Sequence, residues 1–380
     1  MKWHLHNLGF LPSSDPIAHL QEPRFERVEQ LAADLPELIH KRTVRGEMLR
    51  RLSSHDSSVK ELKGMEDGDV ERLFLLYSYF ASAYIHAPGL PPEGRLPSCI
   101  AAPLVNLARH VDRPPILAYC SYCLHNWRRV DQNGPVALDN LKLLQNFGSP
   151  GNGKEDEDWF ILVHVDIEAR AGSAIQAVDS AQLAIRNDDV SAMESLLEKT
   201  ADSLMQVNKT LARMPEGCRP EVYFAKVRPY IFGFTGVIYE DCFSNTPQTY
   251  RGETGAQSSI IPALLAFLGI RHKNSLLTDH LTDMRNYMPT AHGDFIRNQV
   301  SVRDFVQKNA SVKDSSGEKR RIGMLYNDCI NELLKFRTRH FDYAVNYIER
   351  RVNNPIATGG TPYVPWLKHL IEETKEYFIA

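Results

Sequence analysis

Two histidines stand on helical stripes that are otherwise apolar. Between Leu333 and Tyr347, a step of about 100° per residue puts Leu333, Phe336, His340, Ala344 and Tyr347 on one face. Lys335, Asp342 and Asn346 point the other way. A ring nitrogen on such a face needs a backbone carbonyl, a water or a metal. A core histidine satisfied within its own fold is the plain reading. The same phase groups Phe160, His164, Ile167, Ala171 and Ile175, and Glu168, one turn beyond His164, is the ready partner for its ring. Two such histidines on two long helices are what a cofactor held inside a helical bundle needs.

Arg228 shares its helical face with Phe224, and Tyr223 lies beside them. A guanidinium flanked by aromatic walls suits an aromatic amino acid, whose ring stacks while its carboxylate takes a bidentate bond. The commonplace alternative is an arginine snorkelling past aromatics. Other motifs lose their chemistry on inspection. The run from Gly148 to Lys154 nearly matches a phosphate-binding loop, but Glu155 stands where a Ser or Thr would hold magnesium. No strand is expected before it and acids follow it, so it reads as a flexible loop. Cys120 and Cys123 form a CxxC pair with no second pair to complete a zinc site and no βαβ context for redox work. They read as two small side chains on a helix. His4 and His6 sit at what should be a loose terminus and are expected to bind nothing.

The elements that must position these residues are helices. Long helical patterns run over 70–87, 159–186, 190–214 and 322–351, and strand alternation is scarce, so the fold class is mainly α. Breaks fall at 87–97, 147–154, 251–255 and 353–365, and 308–321 reads as an exposed loop. The division expected is a smaller, mostly helical N-terminal domain over 1–110 and a large all-α domain over 111–380. The 380 residues carry 44 Lys and Arg against 47 Asp and Glu, a net charge of −3, which leaves no basic field for nucleic acid. The longest apolar run, 260–270, is broken by Pro262 and Gly269 and is far short of the roughly 20 residues of a membrane span. No signal peptide is legible, and six cysteines do not suggest a disulfide scaffold. A cytoplasmic protein, without membrane or nucleic-acid partners, is the expectation.

Two stretches carry a resemblance. The run from Arg251 through Gly252, Glu253, Thr254 and Gly255 to Ser259, and the run Met284-Arg285-Asn286-Tyr287-Met288-Pro289 leading to His292, are similar to the two signatures of the indoleamine 2,3-dioxygenase family. Pro114 to Tyr119 leading to Trp127, Phe336-Arg337 leading to His340 and Tyr347, and Thr358 to Thr361 resemble further family segments in the same order. The likeness covers roughly residues 113–361.

The resemblance implies a protein that binds haem b and inserts both atoms of O2 across the indole C2–C3 bond of L-tryptophan or a related indole amine, giving an N-formylkynurenine-type product. It implies an electron donor that keeps the iron ferrous. His340 falls where the family places its axial iron ligand, and Arg228 where it binds the substrate carboxylate. Phe160, Tyr119, Tyr122, Tyr223, Phe224 and Thr254 fall at pocket positions. Gly252, Thr254, Gly255 and Arg337 fall at positions beside the haem. His164 falls at the distal, catalytic position, where animal members carry serine and the related tryptophan 2,3-dioxygenases carry histidine. Tyr223 replaces a phenylalanine, Tyr122 a cysteine and Glu253 a glycine. Leu265 stands where many members have an aspartate beside the arginine at 337. His292 reads as a helix-end residue rather than an iron ligand. The competing readings are a haem enzyme for another indole derivative, a haem-based gas-binding or sensor protein, and a metal-free helical binding module.

Overall fold

The computed structural model describes residues 3–52, 62, 64–273, 275–313, 321–351, 358 and 364–380. The chain is mainly α-helical. Four helices come first: α1 (Glu26–His40), α2 (Val44–Leu52), α3 (Asp67–Ile85) and α4 (Ser98–Val111). Every side chain of α3 from Val70 to Ile85 is buried, as expected of a helix apolar on all sides. The helices α1, α2 and α4 pack around it. Five short strands are present: β1 (Arg95–Leu96), β2 (Trp127–Arg129), β3 (Leu141–Leu143), β4 (Phe234–Tyr239) and β5 (Pro247–Tyr250). They form a three-stranded sheet ordered β1-β4-β5 and a β2–β3 ribbon.

The longest helix, α5 (Lys154–Arg186), starts after Gly153, whose φ of 94° only glycine adopts readily. Glu155, Asp156 and Glu157 sit in its first turn, where negative charge suits the helix dipole. Helix α6 (Val190–Ala212) is capped by Asp189, which accepts from the Ala192 N–H at 2.9 Å. The one-turn helices α7 (Met214–Gly217) and α8 (Pro220–Val222) follow. Next come α9 (Ile260–Leu268), α10 (Leu276–Met284), α11 (Thr290–Arg297) and α12 (Arg303–Ala310), then the second long helix α13 (Ile322–Tyr347) and finally α14 (Val364–Lys375). No helix among the described residues is long and apolar enough to cross a membrane.

Helix α6 packs along both α5 and α13, whereas those two make only isolated contacts with each other. It joins the two histidine-bearing helices. Several observed helix ends differ from the sequence pattern. Helix α5 begins five residues before Trp159, because acids and Lys154 extend it without adding to the apolar stripe. The pattern to 351 ends as α-helix at Tyr347 and tightens into a 3-10 turn over Glu349–Arg351. Residues 308–310, expected in a loop, are the last turn of α12, where Asn309 turns back to the Phe305 carbonyl.

Candidate functional site

His340 projects from α13 with its ring surface exposed, yet protein surrounds it so closely that burial pushes its pKa down to about 4. Exposed surface deep within protein means a cleft. No hydrogen bond to its ring is made among the described residues, so the expectation of a satisfied core histidine is not met. Leu333 and Tyr347 at the ends of the stripe are buried, while Phe336 and Ala344 beside the ring are only partly covered. Phe336 stacks 6.4 Å from the imidazole.

His164 on α5 lies close enough that a positive charge on it would depress His340. The two histidines therefore lie near each other. The His164 ring bonds through Nδ1 to the Phe160 carbonyl at 2.7 Å, and burial lowers its pKa, so the ring is neutral. Glu168 is not its partner. The Glu168 carboxylate instead accepts from Tyr119 Oη at 2.9 Å and Ser258 Oγ at 2.8 Å, with burial raising its pKa to about 7. The walls beside His164 are aromatic. Phe160 lies 4.7 Å and Tyr119 6.0 Å from its ring. Tyr223 stands 4.8 Å from Phe160 and 5.8 Å from Tyr347, bridging α5 to α13.

Two π-helical turns shape these walls, Cys120–Leu124 and Tyr223–Val227. Such turns widen the helix by one residue and recur at functional sites. The first carries the CxxC pair. Cys120 and Cys123 are free and buried, and burial pushes the Cys120 thiol up to about 12, so the pair is inert. It also carries Tyr122, whose hydroxyl donates to Glu157 Oε1 at 3.3 Å. The second turn delivers Arg228, which is buried rather than snorkelling. Its guanidinium lies 5.6 Å from the Phe224 ring and 4.6 Å from that of Phe232.

The loop from Arg251 to Ser259 closes the site. Gly252 is crowded by backbone: a Cβ there would meet the Ile231 carbonyl at 2.3 Å and the Gly233 nitrogen at 2.5 Å. Thr254 caps the 3-10 turn Gly255–Gln257 through the Ala256 N–H. Among the described residues, none beyond its chain neighbours comes within 4 Å of where a Cβ on Gly255 would stand. Gln257, which sequence reasoning missed although it lies within the quoted motif, braces two walls. Its amide accepts from the Tyr119 N–H at 2.9 Å and donates to the Gly252 carbonyl at 2.9 Å.

Other expected residues lie elsewhere. Arg337 points away from the cleft toward α14, where it donates to the Leu370 carbonyl and Thr374 Oγ1, both at 2.6 Å, and meets His272 Nε2 at 3.0 Å. His292 is buried against Trp3 and Phe10 and bonds Ser259 Oγ at 3.2 Å. The N-terminal segment is not loose, since Trp3 Nε1 donates to the Gly9 carbonyl at 3.0 Å and His6 Nε2 bonds the Leu11 carbonyl at 2.9 Å. A short strand, β3, does precede the glycine-rich loop. However, the loop's amides already serve the chain's own acids: Phe147 and Gly148 donate to Glu157, and Gly151 to Glu155. Thr358 Oγ1 donates to the Glu253 carbonyl at 2.5 Å, while residues 359–361 of that motif lie outside the described residues.

The residues present fit a haem. An imidazole without a protein partner among the described residues stands on a half-covered apolar stripe, near a second, neutral imidazole. Fold and site together define a mainly helical protein suited to gripping a flat, iron-bearing ring. Residues 2–355 match the family model described as indoleamine 2,3-dioxygenase, and the chain belongs to that family of haem-dependent oxidoreductases. It is 27% identical to indoleamine 2,3-dioxygenase nanC of Aspergillus nanangensis, over 96% of this chain and 93% of that one. It is 29% identical to indoleamine 2,3-dioxygenase 1 of Rattus norvegicus, over 92% and 88%. It is 26% identical to 6-hydroxytryptophan 2,3-dioxygenase fscD of Fusarium equiseti, over 90% and 82%.

Proposed function

We propose that this protein binds one haem b through His340 and inserts both atoms of O2 across the C2–C3 bond of L-tryptophan or a close indole amine, giving an N-formylkynurenine-type product. The observation that carries the reading is His340, exposed on an otherwise apolar stripe with no partner for its ring among the described residues and with His164 nearby. When bound, the haem supplies the O2 chemistry, and an external electron donor keeps its iron ferrous. The chain's own residues orient the substrate and hold its protons.

The tautomer of His164 follows from its backbone bond. Phe160 offers a carbonyl, which only accepts, so in the neutral ring Nδ1 carries the proton and Nε2 is an acceptor. An acceptor suits the indole N–H. Donation to a bound dioxygen would need the other tautomer. Arg228 takes the substrate carboxylate, and Phe160, Tyr119 and Tyr223 wall the ring. Thr254 and Gly255 leave space at the haem edge, and Gly252 fixes their loop. Arg337 supports the proximal helix through α14 rather than through the cleft. The name of the Fusarium relative widens the substrate class to include ring-hydroxylated tryptophan.

The test is turnover of L-tryptophan by reconstituted, reduced holoprotein, followed at the N-formylkynurenine absorbance. His340→Ala is expected to lose stoichiometric haem. Full haem retention with an unchanged Soret band in that variant, or no product from the wild type with any indole amine, overturns the reading.

A further inference from the structure

Three carboxyl groups are buried around the Tyr119–Cys123 wall; Glu157 is matched at both oxygens, whereas Glu168 is matched at Oε1 and leaves Oε2 without a partner among the described residues. Glu157 accepts from the Phe147 and Gly148 amides at 2.8 and 2.9 Å as well as from Tyr122. Glu168 accepts from Tyr119 and Ser258. The third, Glu253, is 3% exposed, and its carboxyl makes no hydrogen bond or ion pair among the described residues. A buried polar group left unmatched is costly, so its retention needs a reason.

The main chain around Glu253 is fixed. Its N–H donates to the Ile231 carbonyl at 3.0 Å and its own carbonyl accepts from Thr358. Its neighbour Gly252 has no room to shift, and Gln257 ties that glycine's carbonyl to the Tyr119 amide. The loop is thus braced against the pocket wall. The carboxyl lies near the same wall, since a charge on it would raise Tyr119, Tyr122 and Cys123. Tyr119 in turn borders the ring of His164. Burial alone holds the Glu253 pKa up to about 8, so the group is protonated at neutral pH until a donor or cation reaches it.

We infer that Glu253 is a specificity residue whose carboxyl receives a hydrogen bond from an N–H or O–H donor carried by the bound indole, either its ammonium or a hydroxyl on its aromatic ring. This rests on the indole-binding reading of the cleft.

The test titrates ferric holoprotein by calorimetry with L-tryptophan, indole-3-propionate, 5-hydroxy-L-tryptophan and 6-hydroxy-L-tryptophan. Wild type is compared with Glu253→Gln, which keeps the shape, and Glu253→Gly, which removes the group. If the ammonium is the donor, the preference for L-tryptophan over indole-3-propionate falls about tenfold in Glu253→Gly. If a ring hydroxyl is the donor, the preference for a hydroxylated tryptophan over L-tryptophan falls by a similar factor and the first ratio stays put. Glu253→Gln keeps a carbonyl acceptor, so it retains part of a hydroxyl preference but loses a charge-assisted ammonium contact. Both ratios staying within about twofold of wild type in both variants overturns the assignment and leaves the indole reading standing. A wild-type holoprotein that binds none of the four ligands overturns both. Thermal denaturation without ligand is the control. Removal of an unmatched carboxyl leaves the midpoint unchanged or raises it, and a large fall in both variants marks a structural role and overturns the assignment.

Discussion

A single backbone bond decides what His164 can do. With Nδ1 committed to the Phe160 carbonyl, Nε2 can accept but not donate. His164→Ser should leave haem content intact and weaken L-tryptophan binding by roughly the 0.5–1.5 kcal/mol of one hydrogen bond. It should also narrow the gap between L-tryptophan and 1-methyl-tryptophan, which lacks the N–H. A mutant that loses stability while that ratio holds would show a structural histidine instead. Arg228→Ala tests the other end of the substrate. Removing one member of a buried charge pair costs on the order of 2–5 kcal/mol, so the Kd for L-tryptophan should rise sharply. Tryptamine, without a carboxylate, should bind the wild type poorly and lose little more. Equal binding of the two ligands by the wild type would refute the carboxylate role. The phase of both histidines is legible in the sequence because a helix repeats locally. The partner of Glu168 is not. Its contacts come from Tyr119 and Ser258, 49 and 90 residues away, and they win over the ring one turn back.

Elements add what single residues do not reveal. Helical periodicity marks α5, α6 and α13, but the π turns at Cys120–Leu124 and Tyr223–Val227 leave no periodic trace, because each is only five residues long. They nevertheless aim Tyr122 and Arg228. The glycines of the 251–259 loop are equally silent as to cause, since a glycine needed for close backbone approach and one facing open space read alike. Gly252→Ala should destabilise by about 1–3 kcal/mol in urea denaturation, because every near neighbour of its Cβ is backbone that must move. Gly255→Ala should stay within about 0.5 kcal/mol of wild type, having nothing to meet. Equal effects of the two substitutions would contradict the packing described for this loop.

At the scale of the whole molecule, stability should depend on acidity through His292. Its folded pKa is lowered from 6.5 to about 3, first by burial and then by the positive charges of His125 and Arg113. The unfolded chain therefore binds the proton first. The stability tied to a neutral His292 is complete above about pH 6.5 and is lost as the pH falls below it, by about 1.4 kcal/mol per pH unit until the folded group titrates. His292→Gln should flatten that acid limb relative to wild type in denaturation series from pH 7.5 down to about 5, and parallel curves would refute the assignment. The buried phenols have a different consequence. Tyr119 and Tyr122 are pressed against Glu168 and Glu157, and burial with those acids holds both well above the ordinary tyrosine range. Of the 15 tyrosines, these two, together with the equally buried Tyr79 and Tyr239, should stay dark in an alkaline ultraviolet titration long after exposed phenols have ionised. Their late absorbance step would mark the moment the pocket wall admits hydroxide, making the protein its own optical gauge of when the cleft comes apart.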